Sequence, residues 1–268
     1  MIAVELSKLV RSRRTWITIG LLNALPTLVA ILLALTDLGP RPGTGPAFLA
    51  AVLSDGSLFP LAAIAIVVPL FLPAAVAVVA GEAVAGESEA GTLRYVLVRP
   101  VGRTKLLVAK LVSVIAFVLL AVLVVAVTAY VVGALLLGDQ PIAASVSGTV
   151  LTSSQVAWRT ALALAYAILS MLGVASIALF FSTIVRSPLA AALGTLAVLI
   201  ASTLLLTLDA ATSLHPYLPT RYWISFVDLF RDPILWRNVT RGATLQLVYV
   251  GVFLAAAWAN FTTKDITD

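Results

Sequence analysis

Six apolar runs, each about 17 to 25 residues long, divide this chain of 268 residues and leave few folds open to it. They are Trp16 to Leu35, Phe59 to Ala80, Leu111 to Leu135, Ala161 to Phe181, Leu189 to Leu208 and Leu245 to Phe261. A helix of that length spans the roughly 30 Å hydrocarbon layer of a bilayer. Lipid offers the backbone no hydrogen bonds, so each run must satisfy its own amides and carbonyls by coiling. The reading is an all-α, polytopic membrane protein with six transmembrane helices. Composition agrees, since 61% of residues are hydrophobic and 11% charged, against about 25% charged in soluble domains. Cysteine is absent, which excludes disulfides and thiolate metal sites.

Lys and Arg near the span ends set the orientation. With the N-terminus in the cytoplasm, the inner side holds Lys8, Arg11, Arg13, Arg14, Arg94, Arg99, Arg103, Lys105, Lys110, Arg186 and Lys264, eleven of the 17 basic residues. Six spans return the C-terminus to the same side. The net charge of +5 is then a topology signal and needs no nucleic acid to explain it. The first run follows a basic stretch as a signal peptide would. It exceeds the roughly 7 to 15 residues of a signal core and lacks a small-residue cleavage site, so it reads as a retained span.

One membrane domain, residues 1–268, is expected to carry three polar appendages. Residues 1–14 set Ile2, Leu6, Leu9 and Val10 on one helical face and Glu5, Lys8, Arg11 and Ser12 on the other, the pattern of an interfacial helix with Trp16 at the headgroups. The second appendage is Gly86 to Lys110, GESEAGTLRYVLVRPVGRTKLLVAK. Glu87 and Glu89 precede Arg94 and Arg99, and Pro100 forbids further helix, so a short helix from about Ser88 to Arg99 would suit the macrodipole. Ala90, Leu93, Val96 and Leu97 would form its apolar stripe. A solvated loop whose charges only enforce topology fits the same composition. The third appendage, Asp209 to Ala243, places Tyr222, Trp223, Phe226, Val227 and Phe230 at helical spacing, with its amphipathic part over residues 213–241. It reads either as an aromatic belt element or as an outer gate.

Apparent chemical motifs fail on their residues. Gly81 to Ser88, GEAVAGES, matches a phosphate-binding loop except that Glu87 stands where a lysine is required, and a carboxylate there repels phosphate. His215 has neither cysteine nor carboxylate beside it. Asn238 and Asn260 begin glycosylation-type triplets that carry no weight, the second because it lies at a cytoplasmic span end. Ser113, Ser170, Ser176 and Ser202 lie within spans, where helix packing is the default role. Glu82 and Arg159 both fall near span ends, leaving an almost uncharged lining that suits an apolar or amphipathic solute. Pro69 and Pro73 are expected to kink the second span. No catalytic site, cofactor site or metal site can be assembled.

The sequence of the second appendage, the elbow from Gly86 to Lys110, resembles that of bacterial ABC-2 type transporter permeases, the type V-like class. There the second and third spans are joined by Gly-Glu-x-Glu-x-Gly-Thr-Leu, then Pro-x-x-Arg, then a Lys opening the next span. Here these are Gly86, Glu87, Glu89, Gly91, Thr92, Leu93, Pro100, Arg103 and Lys110. Leu172 to Leu193, with Arg186, Ser187 and Pro188 at a tight turn between spans, adds to the likeness. The pattern departs at Ala109, where many relatives carry glycine.

The resemblance implies a permease in the bacterial inner membrane that exports a drug, lipid or peptide. It would pair with a second permease, the same or paralogous, and with two cytoplasmic ATPase subunits that hold ATP and Mg. Residues 86–104 would be the coupling segment, with Glu87, Glu89, Gly91, Thr92, Leu93, Leu97, Pro100 and Arg103 contacting the ATPase. The N-terminal helix would lean on the same partner, and Tyr222, Trp223, Phe226 and Phe230 would belong to the outer gate. An accessory anchor that moves no solute and a secondary carrier are the alternatives.

Overall fold

The computed structural model describes residues 1–35, 56–91, 102–137, 143–144 and 150–263. Its helices, in chain order, are α1 (Ile2–Arg11), α2 (Arg13–Leu35), α3 (Phe59–Val67), α4 (Phe71–Glu89), α5 (Arg103–Leu136), α6 (Ser153–Ile184), α7 (Pro188–Leu205) and α8 (Trp236–Thr263). All but α1 and α3 are long and apolar enough to cross a membrane, six among the described residues. The fold is all-helical; the extended structure described is the two-residue pairing of Ala143–Ala144 with Val150–Leu151. Successive helices reverse direction, so α1, the α4–α5 elbow, the α6–α7 turn and the end of α8 share one end of the bundle, here the near end. The far end holds the α6 start and the segment between α7 and α8.

Helix α6 is the axis of the bundle, packed against α4, α5, α7 and α8. A capping box fixes its start: the Thr152 side chain accepts from the Gln155 amide while the Thr152 amide donates to Gln155 Oε1 at 2.9 Å. Its buried surface runs through Ala163, Ala167, Ser170, Gly173, Ala175 and Ala178, small residues that let neighbouring backbones approach. Around it, α2, α7 and α8 expose Ile17, Leu21, Leu193, Ile200, Leu204, Val248 and Val252, the apolar outer surface of a lipid-facing bundle. Helices α5 and α6 have 34 and 32 residues, so each is about 50 Å long and outreaches the hydrocarbon layer of about 30 Å. The apolar runs mark only the lipid-crossing part of these rods.

Three expectations are corrected. The second span is broken instead of kinked: α3 stops at Val67, Leu70 has φ −141° and ψ −54°, and α4 begins at Phe71. Pro69 lacks the amide that would continue α3, whereas Pro73 lies in the first turn of α4, where a missing N–H costs no helical bond. Residues 1–14 are not one helix, because Ser12 is extended (φ −70°, ψ 122°) and separates α1 from α2. The Trp16 indole N–H donates to the Val10 carbonyl at 2.7 Å and pins that corner. Nor does Glu5 face solvent: α1 packs on α5 through Leu9, and Glu5 turns inward with it.

The segment between α7 and α8 is not an α-helix either. It consists of short 3-10 turns at Asp209–Ala211, His215–Tyr217 and Ser225–Phe230. Pro216 and Pro219 remove the donors that an α-helix would need, and i to i+3 bonds such as Ser225 N–H to the Tyr222 carbonyl at 2.9 Å take over.

Candidate functional site

At the near end, four charges from three helices form a ring. Lys110 of α5 donates to Glu5 Oε2 of α1 at 3.0 Å and pairs closely with Glu87 of α4. Lys8 of α1 bonds Glu5 at 3.1 Å and lies 3.8 Å from Glu87. The Lys110 side chain is 7% exposed, a burial tolerable because two carboxylates face it. Burial alone would raise the Glu5 carboxyl, but the bonds and charges of Lys110 and then Lys8 outweigh it and hold the group below its ordinary value. A second pair joins Arg14 of α2 to Glu82 of α4 at 2.7 Å, with side chains 81% and 45% exposed. It stands between two clefts of about 530 and 380 Å³ that share Arg14, Val78, Glu82 and Gly86.

The near end is fastened from the opposite side as well. Arg103, the first residue of α5, donates to the Thr262 carbonyl at 2.9 Å, and the Trp258 indole donates to Thr104 Oγ1 at 3.1 Å. Asn260 of α8 donates to the Thr183 carbonyl of α6 at 3.0 Å.

These positions revise the elbow. Glu87, Ser88 and Glu89 are the last turn of α4, and Ala90 is its C-cap. The carboxylates therefore sit at the negative end of a helix dipole, opposite to the placement expected from the charge order, and Lys110 and Lys8 compensate for Glu87. Gly91 follows the cap with φ +66° and its amide bonds the Ser88 carbonyl at 3.1 Å, a left-handed position that a side chain would strain. Thr92, Leu93, Leu97 and Pro100 lie outside the described residues. Gly81 to Ser88 is helical throughout, so the phosphate-loop lookalike has no loop. Sequence reasoning missed Lys8 as a partner of Glu87 and Glu5 as the second carboxylate on Lys110; the signal was Lys110, whose charge only meets Glu87 if α5 begins several residues before its apolar run.

At the far end the aromatic residues are placed inward. Trp223, Phe226 and Phe230 are buried and Tyr222 is half-buried. Side chains of the spans donate to the backbone of this segment: Tyr166 OH to the Tyr222 carbonyl at 2.7 Å, Gln246 Nε2 to Pro219 at 2.8 Å, Tyr249 OH to Tyr217 at 2.9 Å and Arg159 Nη1 to Arg231 at 3.1 Å. Tyr166 lies 13 residues, about 20 Å, into α6, and its hydroxyl reaches the Tyr222 carbonyl, so the segment is re-entrant, turning back between the helices. Irregular backbone at that depth needs donors from the protein. Gly173 and Gly242 make room for them, since a Cβ on either would collide with Gln246 or Tyr166. Arg159 is not a span-end charge in water: it is 4% exposed, packed over the Trp158 ring at 5.5 Å.

Six apolar helices, one of them the central rod α6, with a charged elbow at one end, define a multi-pass membrane protein whose polar machinery sits at its two ends. The family described as "ABC-2 family transporter protein" matches residues 1–202, so the chain belongs to it and is a permease subunit of an ABC transporter. Permeases of this family are transport subunits that normally work with ATPase subunits. The match includes the near-end ring and the elbow and stops within α7, before the re-entrant segment and α8. No curated protein matches the chain.

Proposed function

We propose that this permease exports an apolar or amphipathic solute from a bacterial inner membrane, driven by ATP that two partner ATPase subunits bind with Mg and hydrolyse at the near end. A second permease, the same or paralogous, completes the path, and both termini face the cytoplasm. The observation that carries the reading is the convergence of α1, α4 and α5 on Lys110 directly behind the elbow. A push on residues 86–104 reaches three helices at once through that ring. Glu87, Glu89, Gly91 and Arg103 shape the base of the elbow, and Thr92, Leu93, Leu97 and Pro100 form the part that meets the ATPase. The two clefts beside Arg14 and Glu82 offer the solute a near-end mouth with polar and apolar walls, and the re-entrant segment bearing Tyr222, Trp223, Phe226 and Phe230 closes the far end.

Co-purification of the ATPase and vesicle transport of a fluorescent amphiphile test this reading. Leu93→Asp is expected to abolish assembly, because an unpaired charge desolvated at an interface costs on the order of several kcal/mol. Arg103→Glu weakens assembly in a salt-dependent way, and Trp223→Ala leaves it intact while altering transport. Full assembly and unchanged transport with Leu93→Asp would show that the elbow is only a loop.

A further inference from the structure

In a regular helix the Ala85 amide would donate to the Gly81 carbonyl four residues back. In α4 a side chain from another helix stands at those groups. Ser182 of α6 donates to the Gly81 carbonyl at 2.6 Å and accepts from the amides of Val84 at 3.0 Å and Ala85 at 2.9 Å. The hydroxyl is buried, with Ser182 only 1% exposed. A side chain inserted into the helical ladder is one of the few causes of a bend. Bending a helix in apolar surroundings normally strips partners from its backbone groups, which is costly. A serine hydroxyl carries one donor and two acceptor sites and rotates freely, so it keeps those groups bonded while the angle changes.

The parts of α4 on either side of this joint differ. Toward Phe71, Leu72, Ala75, Val76 and Ala80 are buried against α6 and α7. Toward the elbow, the final turn carries Glu87 of the charged ring and ends at Gly91. Ser182 itself is held firmly, because the next residue, Thr183, accepts from Asn260 of α8 through both its carbonyl and its hydroxyl at 3.0 and 3.1 Å.

We propose that Ser182 is a positioning residue, the pivot on which the last turns of α4 swing when the elbow is pushed. The proposal rests on the reading of the elbow as the ATPase contact. A mere anchor would behave oppositely to a pivot when removed. Without the hydroxyl, the Gly81 carbonyl and the Val84 and Ala85 amides have only their helical partners left, so a pivot's loss stiffens these turns; an anchor's loss would loosen them.

Hydrogen exchange of the full chain in nanodiscs separates the two. Ser182→Ala is expected to slow exchange at amides 86–90 by about fivefold, with Ser182→Thr within about twofold of the parent. Faster or unchanged exchange in Ser182→Ala overturns the pivot. In the ATPase complex, nitroxides at Ile17→Cys and Ala90→Cys, on a chain that has no cysteine of its own, report the swing on trapping with ATP and vanadate. Ser182→Ala should leave less than about half of the parent's distance change and Ser182→Thr should restore it; an undiminished change overturns the proposal. If the parent chain binds no ATPase, the elbow reading fails, and the exchange result alone decides the pivot.

Discussion

The two ends of the bundle are held by opposite chemistry. The near end uses ionised side chains, with Lys8, Lys110, Glu5 and Glu87 in one ring and Arg14 and Glu82 in a separate exposed pair. The far end relies mainly on neutral groups, with Tyr166, Gln246 and Tyr249 donating to backbone carbonyls deep between the helices. Ion pairs near water exchange partners readily and respond to salt and pH. Bonds from hydroxyl and amide donors to buried carbonyls have no such competitor, and losing one leaves a desolvated group behind. The contrast fits an end that meets a partner and an end that seals.

The sharpest way to break this contrast is to remove the cation at the centre of the ring. Lys110→Met leaves Glu5 and Glu87 facing each other with Lys8 as their remaining described cation, and uncoupling a buried pair in this way costs about 3–5 kcal/mol. Helix α1 should detach, measured as proteolytic cleavage near Ser12 in detergent, while the six spans stay inserted. Acid should do the same more gently. The folded Glu5 carboxyl lies below its ordinary value of 4.5, so its stabilisation is present above that pH and is lost as pH falls through the folded value. Cleavage that stays constant on acidification would mean that Leu9 packing, not the ring, holds α1.

A far-end bond should be smaller in effect and insensitive to both salt and mild acid. Tyr166→Phe deletes the donor to the Tyr222 carbonyl and should cost about 1–3 kcal/mol, read as a lower thermal midpoint in detergent. Gln246→Leu, which strands the Pro219 carbonyl, should match it in size. The same shift at low and at high ionic strength sharpens the contrast; a shift that disappears in high salt would break it.

How much of this was legible in the sequence follows from the physics of each region. The spans were readable because bilayer thickness imposes a length on any apolar crossing, and the family because the motif between the second and third spans is dense in charge, glycine and proline. The rods α5 and α6 were understated because the part of a helix beyond lipid is polar and carries no hydropathy signal. Glu87 and Glu89 were placed at a helix start because charge order was weighed against the dipole alone. Lys110 lies 23 residues from Glu87 in sequence and Glu5 105 residues from Lys110, so the pairing that overrides the dipole has no local signature. The aromatic segment repeats at helical spacing, yet its prolines and the donors of α6 and α8 favour 3-10 turns. That choice depends on Tyr166 and Gln246, which look like ordinary span residues until the helices are packed.

The smallest expected effect comes from the most visible ion pair. Arg14 and Glu82 lie 2.7 Å apart, but the Arg14 side chain is 81% exposed, and exposed pairs contribute roughly 0 to 1 kcal/mol. Arg14→Gln should therefore leave the thermal midpoint within error of the parent and leave α1 resistant to proteolysis. Because the pair stands between the two clefts, what should change is access: an impermeant thiol reagent should reach Val78→Cys faster in the Arg14→Gln background than in the parent. High salt, which screens the pair within a Debye length of about 10 Å at 0.1 M, should speed the parent toward the same rate. If Arg14→Gln instead destabilises the chain as strongly as Lys110→Met, exposure is a poor guide to which near-end charges hold the fold. The division between a structural ring and an exchangeable outer pair would then have to be given up.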